Sequence, residues 1–256
     1  IPTIIEMGNY TRLDCAIGSS SLMRQALAQA NHHARHRVAF QKKLIDQPLM
    51  TNVLADMALE CEAATVLTFR LARAYDEDDA AAQVFRRVLT PAAKFWICKR
   101  TPMVTLEAME VLGGSGYIED SVMPRLYREA PVNSIWEGSG NVMCLDVLRA
   151  IGRTPNAGEV LRAELSGSGD KRLEAFVETL ERRMTDADRN DEGQARVLTR
   201  DLVLALQAAL LIKHAPAYVA DAFCASRLSG EGGGAFGMLP RGCDVAAIVE
   251  RAGPLH

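Results

Sequence analysis

Glu137 follows Trp136 and precedes Gly138, Ser139 and Gly140 in the stretch NSIWEGSGN, within a chain otherwise rich in Leu and Ala. One carboxylate between an indole and two glycines has the parts of a general base. The ring supplies an apolar wall, and partial desolvation raises a carboxylate's affinity for a proton taken from a carbon acid. Glycines allow close backbone approach to a ligand, and Ser139 and Asn141 at a helix start can donate to an anion. The same residues also fit a solvated loop carboxylate favoured by a helix dipole, followed by ordinary N-capping.

Other chemistry-bearing residues are scattered. His32, His33 and His36 lie in NHHARHR, and His32 and His36 are one helical turn apart, the spacing of a metal pair. No third ligand is near them, so they read as a basic helix end and no metal site is assigned. Lys94, Lys99 and Arg100 add a local positive patch, the best hint of nucleic-acid contact in the chain. Phe40 alone reads as core, and Arg12, Arg37 and Arg149 each fit a solvated helix charge.

The elements that must position these residues are helical, because apolar residues recur at helical spacing and strand-like alternation is scarce. The pattern predicts helices over 11–37, 49–75 and 80–112, with DEDD (Asp76 to Asp79) separating the second from the third. Pro91 and Pro102 predict a bend or two in the third. GGSG at Gly113 to Gly116 ends it with a left-handed cap. A fourth helix is expected over 142–151, and long helices on short links make an antiparallel bundle. TPNAGE and SGSGD mark a seam, dividing the chain into residues 1–153 and a further helical region over 154–256. SGEGGGAFG, from Ser229 to Gly237, reads as a flexible loop before a last short helix. The fold class is all-α.

Bulk properties narrow the function classes. At 256 residues the chain can bury a large core, and no stretch is apolar for the roughly 18 residues of a membrane span. Lys and Arg number 29 against 32 Asp and Glu, which offers no whole-chain attraction for nucleic acid. Residues 154–256 carry the whole negative excess, with 12 basic and 15 acidic residues. Six dispersed cysteines without a CxxC pair read as reduced core thiols of a cytosolic protein. The chain begins at Ile1 without a methionine, and reads as a piece of something longer.

Three stretches in register, NYTRLDCAIGSS with Arg12 followed 25 residues later by Arg37 in RVAF, then EAMEVLGGSGY, then PRLYREAPVNSIWEGSGN, resemble the C-terminal helical domain of the acyl-CoA dehydrogenases. TPAAKFWICKR and IWEGSGNVMCLDVLR resemble most the adaptive-response (AidB-like) branch, which is linked to DNA alkylation damage and carries an extra helical region at its C-terminus. The resemblance implies FAD as cofactor and α,β-dehydrogenation of an acyl-CoA thioester, with the α-proton going to Glu137 and the β-hydride to flavin N5. It implies flavin contacts for Arg37, Phe40, Glu110, Gly113, Gly114, Trp136, Ser139 and Asn141, and places Arg12 and Arg149 toward the substrate. Arg37 would hold the pyrophosphate as a fixed fork. Because that grip works across a subunit interface, a homo-oligomer is implied, a dimer or a tetramer.

Departures from the family pattern matter. Thr11 occupies a position where another branch has its base, and it cannot serve as one. Gln41 replaces the glycine usual after RxxF, Glu110 replaces a glutamine and could repel the dinucleotide, and Asn9 replaces an acidic residue. Arg149 near the flavin pocket would favour ionised Glu137 and take space an acyl chain needs, making dehydrogenation feeble. The family's N-terminal helical and middle β-domains, which hold the isoalloxazine, are expected to lie outside this chain. By itself it is expected to be inactive and to bind FAD weakly or not at all. The alternatives are a DNA-binding protein of the alkylation response with vestigial flavin chemistry, and a helical oligomerisation module without chemistry.

Overall fold

The computed structural model describes residues 2–185, 191–230 and 234–253, with the side chains of 2–6 and 185 left aside. Three long helices form the frame: α1 (Pro2–His36), α2 (Pro48–Asp76) and α3 (Ala80–Val111). Asp79 starts α3 by accepting the Ala82 N–H at 2.8 Å, an N-cap that explains why DEDD separates the two helices. α3 then runs unbroken through Pro91 and Pro102 to Val111. Gly113, at φ +61°, stops it in the left-handed conformation that a glycine takes without strain. The short helices α4 (Gly114–Tyr117) and α5 (Met123–Glu129) and a 3-10 turn at Ala130–Ser134 lead to α6 (Gly140–Arg153). α1 packs on α2 and α3, and α6 packs on α3, giving the all-α antiparallel bundle expected from the helical spacing.

Between α1 and α2 the chain makes a small hairpin of β1 (Val38–Ala39) and β2 (Lys42–Lys43). Its two turn residues, Phe40 and Gln41, have φ of +52° and +68°, a type I′ turn built without glycine.

The later helices are α7 (Ala157–Leu165), α8 (Lys171–Thr185), α9 (Ala195–His214), α10 (Ala217–Phe223) and α11 (Val245–Ala252), with a π-helical turn at Cys224–Leu228. α9 is apolar around most of its circumference, from Leu198 through Leu211, so it can only be stable fully enclosed. α2, α3, α6 and α8 surround it. One hydrophobic core therefore runs from Leu13 through Leu67 and Val147 to Leu202 and Ile248, across the seam near residue 154. In SGEGGGAFG, residues 231–233 lie outside the described residues.

One buried charge cluster ties the later region to the bundle, and a second joins α8 to α9. Asp56 and Glu60, 3% and 4% exposed on α2, face Arg227 from the π turn, and Arg100 of α3 reaches Glu60 at 3.0 Å. The Gly237 N–H also donates to Asp56 at 3.0 Å. On α9, buried Asp201 is held by Arg183 and Arg200.

Candidate functional site

Glu137 sits at the tip of the turn between the Ala130–Ser134 helix and α6, at φ +56°. A non-glycine residue there is strained, at about 1 kcal/mol or more. The turn is held from beneath. Lys94 Nζ, on α3, donates to Trp136 O at 2.8 Å and to Gly138 O, the carbonyls on either side of Glu137. Arg12 Nε, on α1, donates to Glu137 O itself at 3.1 Å. Arg12 is fixed in turn by Asp146 of α6 at 2.9 Å, and Arg87 takes the other Asp146 oxygen at 2.8 Å. Gly138 holds φ +112°, where an L side chain is strained, and a Cβ there would also press on Met143 Cε at 2.5 Å.

The Glu137 carboxylate lies over Gly8 of α1, with Oε2 3.6 Å from where a Cβ would stand on that glycine. The apolar residues beside it along the chain are exposed. Trp136 is half exposed, and its Nε1–H donates to Asn133 Oδ1 at 3.3 Å. Met7, Tyr10, Ile135 and Val142, neighbours of Gly8 and Glu137 along the chain, are also substantially exposed. Glu137 is exposed as well, so the enclosure a base needs is not supplied by this chain's described residues.

Beneath the turn the electrostatics are unusual. Burial pushes the Lys94 ammonium below the ordinary lysine range; Cys98, Cys15 and Glu137 oppose the shift and Arg12 adds to it. Burial pushes the thiol of Cys98 up to about 11 and that of Cys15 above its ordinary value. Lys94 is 1% exposed, which corrects its placement in a surface patch with Lys99 and Arg100. It sits on the packed face of α3 with Thr90, Pro91, Ile97 and Cys98, and Arg100 is occupied by Glu60. The positive patch that hinted at nucleic acid does not form.

α6 begins directly after the turn. Ser139 is its N-cap residue, yet its hydroxyl makes no capping bond. Asn141 Oδ1 accepts from Arg196 Nε of α9 at 2.8 Å. A Cβ on Gly140 would lie 3.3 Å from each of Arg196, Lys99 and Phe95, so two cations flank the first turn of this helix. Arg149 lies exposed toward the other end of α6, about 13 Å along its axis from Gly140 at 1.5 Å per residue. No hydrogen bond or ion pair joins it to Glu137 among the described residues.

The remaining predicted residues lie away from the Glu137 turn in sequence and are exposed. Phe40 is 91% exposed at the hairpin tip, which corrects its reading as core: the left-handed turn points it outward. Arg37 is exposed beside it, and Val38 and Leu49 are exposed too. Glu110, Gly113 and Gly114 lie at the exposed C-terminal end of α3. The rings of His32 and His36 are 4.4 Å apart, and His36 Nδ1 meets the His32 carbonyl at 2.8 Å. No group of three His, Cys, Asp or Glu side chains is placed to hold a metal among the described residues. Five cysteines are buried, Cys243 is partly so, and all six are unbridged.

Sequence reasoning missed Lys94, Asp146 and Arg196. A lone lysine on an apolar helix face was a readable signal for the first; nothing local marks Arg196, 55 residues from its partner.

Comparison with known proteins gives concordant matches. The family described as acyl-CoA dehydrogenase, C-terminal domain, matches residues 1–152. The chain is 46% identical over 237 residues to the putative acyl-CoA dehydrogenase AidB of Escherichia coli (strain K12), covering 91% of this chain and 43% of that protein. It is 34% identical over 158 residues to acyl-CoA dehydrogenase family member 11 of Caenorhabditis elegans, covering 60% of this chain and 26% of that one. Among solved structures, C. elegans ACDH-11 in complex with C11-CoA superposes with a TM-score of 0.78 at 27% identity, over 88% of this chain and 44% of that chain. Bd2924 in its apo-form gives 0.75 at 30% identity, over 83% and 43%. The chain thus spans less than half the length of these relatives.

Proposed function

Since this chain belongs to the acyl-CoA dehydrogenase family, carrying its C-terminal domain and resembling the adaptive-response branch, we propose that it is the C-terminal helical part of an FAD-dependent oxidoreductase that dehydrogenates an acyl-CoA thioester across Cα and Cβ. The observation that carries this reading is the Glu137 carboxylate, raised over Gly8 on a left-handed turn that Lys94 and Arg12 grip by three successive carbonyls. A base has to be held still to take a proton from carbon. Residues 1–153 are assigned to the family's bundle and 154–256 to an added helical region packed on it; the family's N-terminal helical and β-domains are assigned to sequence outside this chain.

The residues present suit FAD. Phe40 offers an exposed aromatic face and Arg37 a fork at the hairpin, while Ser139 and the first N–H groups of α6 are free to donate to phosphate. With its Oδ1 taken by Arg196, Asn141 keeps its amide N–H groups for a ligand. Trp136, Gly113 and Gly114 complete the set, and Glu110 is the one member whose charge opposes it. FAD, when bound, supplies the hydride acceptor. Glu137 takes the α-proton, and Trp136 walls the acyl chain.

Arg12 is committed to Asp146 and to the Glu137 carbonyl, so its part at the substrate side is to fix the turn. Arg149, proposed on the substrate side from the family resemblance, lies apart from Glu137. The exposed Phe40, Val38 and Leu49 suit a face covered by another copy in a homo-oligomer. The nematode relative's complex with C11-CoA supports a fatty acyl-CoA as the substrate class.

The test is flavin reduction by short, branched and long acyl-CoAs in the full-length protein reconstituted with FAD, this chain together with the N-terminal helical and β-domains. Glu137→Gln is expected to lower the rate by about 10²–10⁴. Flavin that no thioester bleaches refutes the assignment.

A further inference from the structure

The Glu137 turn is held by a lysine that packing does not explain. Lys94 is 1% exposed, on a helix face it shares with the buried Thr90, Pro91, Ile97 and Cys98. It makes no salt bridge among the described residues, and its hydrogen bonds go to Trp136 O and Gly138 O. Burying an ammonium is unfavourable unless its donors are used, and an apolar residue would fill the same space without that penalty. What the ammonium supplies is a compact charge with three rotatable donors, able to chelate two carbonyls that are not coplanar, which a planar guanidinium suits poorly.

The two carbonyls bracket Glu137 in sequence. Rotating either flanking peptide plane to relax φ +56° at Glu137 or φ +112° at Gly138 breaks a bond to Nζ. Arg12 holds the carbonyl between them from the opposite helix, but it is shared with Asp146 and Asn9. Lys94 is devoted to the turn.

We propose that Lys94 is a positioning residue for Glu137: by bonding the carbonyls on both sides of it, Lys94 fixes the left-handed backbone that sets the carboxylate over Gly8. This rests on the reading of Glu137 as the proton acceptor. Lys94 touches neither substrate nor flavin; it acts through the backbone.

The test compares Lys94→Met, which keeps the stem and removes the ammonium with both of its hydrogen bonds, with Lys94→Gln, which keeps one donor group. Two readouts are needed. In the chain without cofactor, hydrogen exchange by mass spectrometry is expected to accelerate about tenfold or more in peptides spanning 133–142, with α1 and α2 unchanged. In the full-length protein reconstituted with FAD, kcat for acyl-CoA-dependent flavin reduction is expected to fall about 10²-fold in Lys94→Met, and less in Lys94→Gln, with KM within about threefold. Exchange that stays at the wild-type rate in 133–142, or that rises equally throughout the bundle, overturns the proposal, the second result showing a packing role only. Localised exchange with wild-type kcat overturns it also. If Glu137→Gln itself keeps the wild-type rate, the base assignment fails, whereas the exchange result still reports whether Lys94 holds the turn.

Discussion

Arg196 donates its Nε–H to the side chain of Asn141 at 2.8 Å, which ties α9 to the first turn of α6. The added helical region thereby reaches the end of the bundle where the proposed cofactor residues Ser139 and Asn141 lie. Arg196 also stacks on Phe95, with its guanidinium carbon 5.8 Å from the ring centroid.

In the full-length protein, Arg196→Ala is expected to weaken FAD binding, because Asn141 loses its anchor and the helix start loses a nearby cation. A single exposed hydrogen bond contributes about 1 kcal/mol, so the Kd should rise roughly fivefold. Quenching of flavin fluorescence during titration measures it, and an unchanged Kd would separate α9 from the site.

Glu60 should impose an acid-side stability loss. Burial acts to raise its carboxyl, but Arg100 and Arg227 outweigh burial and hold it below its ordinary 4.5. The folded value lies below the unfolded one, so the stabilisation is present above pH 4.5 and is lost as pH falls through the lower folded value. Glu60→Gln leaves buried cations short of a partner and is expected to cost about 3 kcal/mol at neutral pH. That gap should narrow below pH 4.5 in urea denaturation curves; a gap independent of pH would exclude the ion network as its source.

Gln41→Gly should stabilise the hairpin. Gln41 holds φ +68°, where a side chain is penalised by about 1–2 kcal/mol and glycine is not, while glycine's larger unfolded entropy offsets part of that gain. A net gain of about 0.5–1 kcal/mol, a rise of roughly 1–3 °C in Tm, is expected by calorimetry. A fall in Tm would show that the Gln41 side chain makes a compensating contact.

Ending the chain after Arg153 should prevent cooperative folding. The core is continuous across that point, and Leu198, Leu202 and Val203 of α9 are buried within it. Removing them uncovers apolar faces of α2, α3 and α6, so the shortened chain is expected to bind a hydrophobic dye and lose its sharp thermal transition. A sharp transition at the parent Tm would make the two regions independent.

The sequence by itself determined the helices, because apolar spacing, Asp79 at an N-cap and Gly113 at a C-cap act within a few residues of one another. It also marked Glu137, since a carboxylate between Trp136 and glycines is unusual at the local level. Its seam near residue 154 is a change in composition, and composition does not register that α9 needs α2 and α3 to cover it. Only the tertiary structure decided that Lys94 belongs under Glu137 rather than in a surface patch, that Phe40 faces outward, and that Arg196 meets Asn141. Each depends on groups 42 or more residues apart, or on the sign of a backbone angle. A helical period states which face a residue occupies; what that face meets is fixed by how the helices pack.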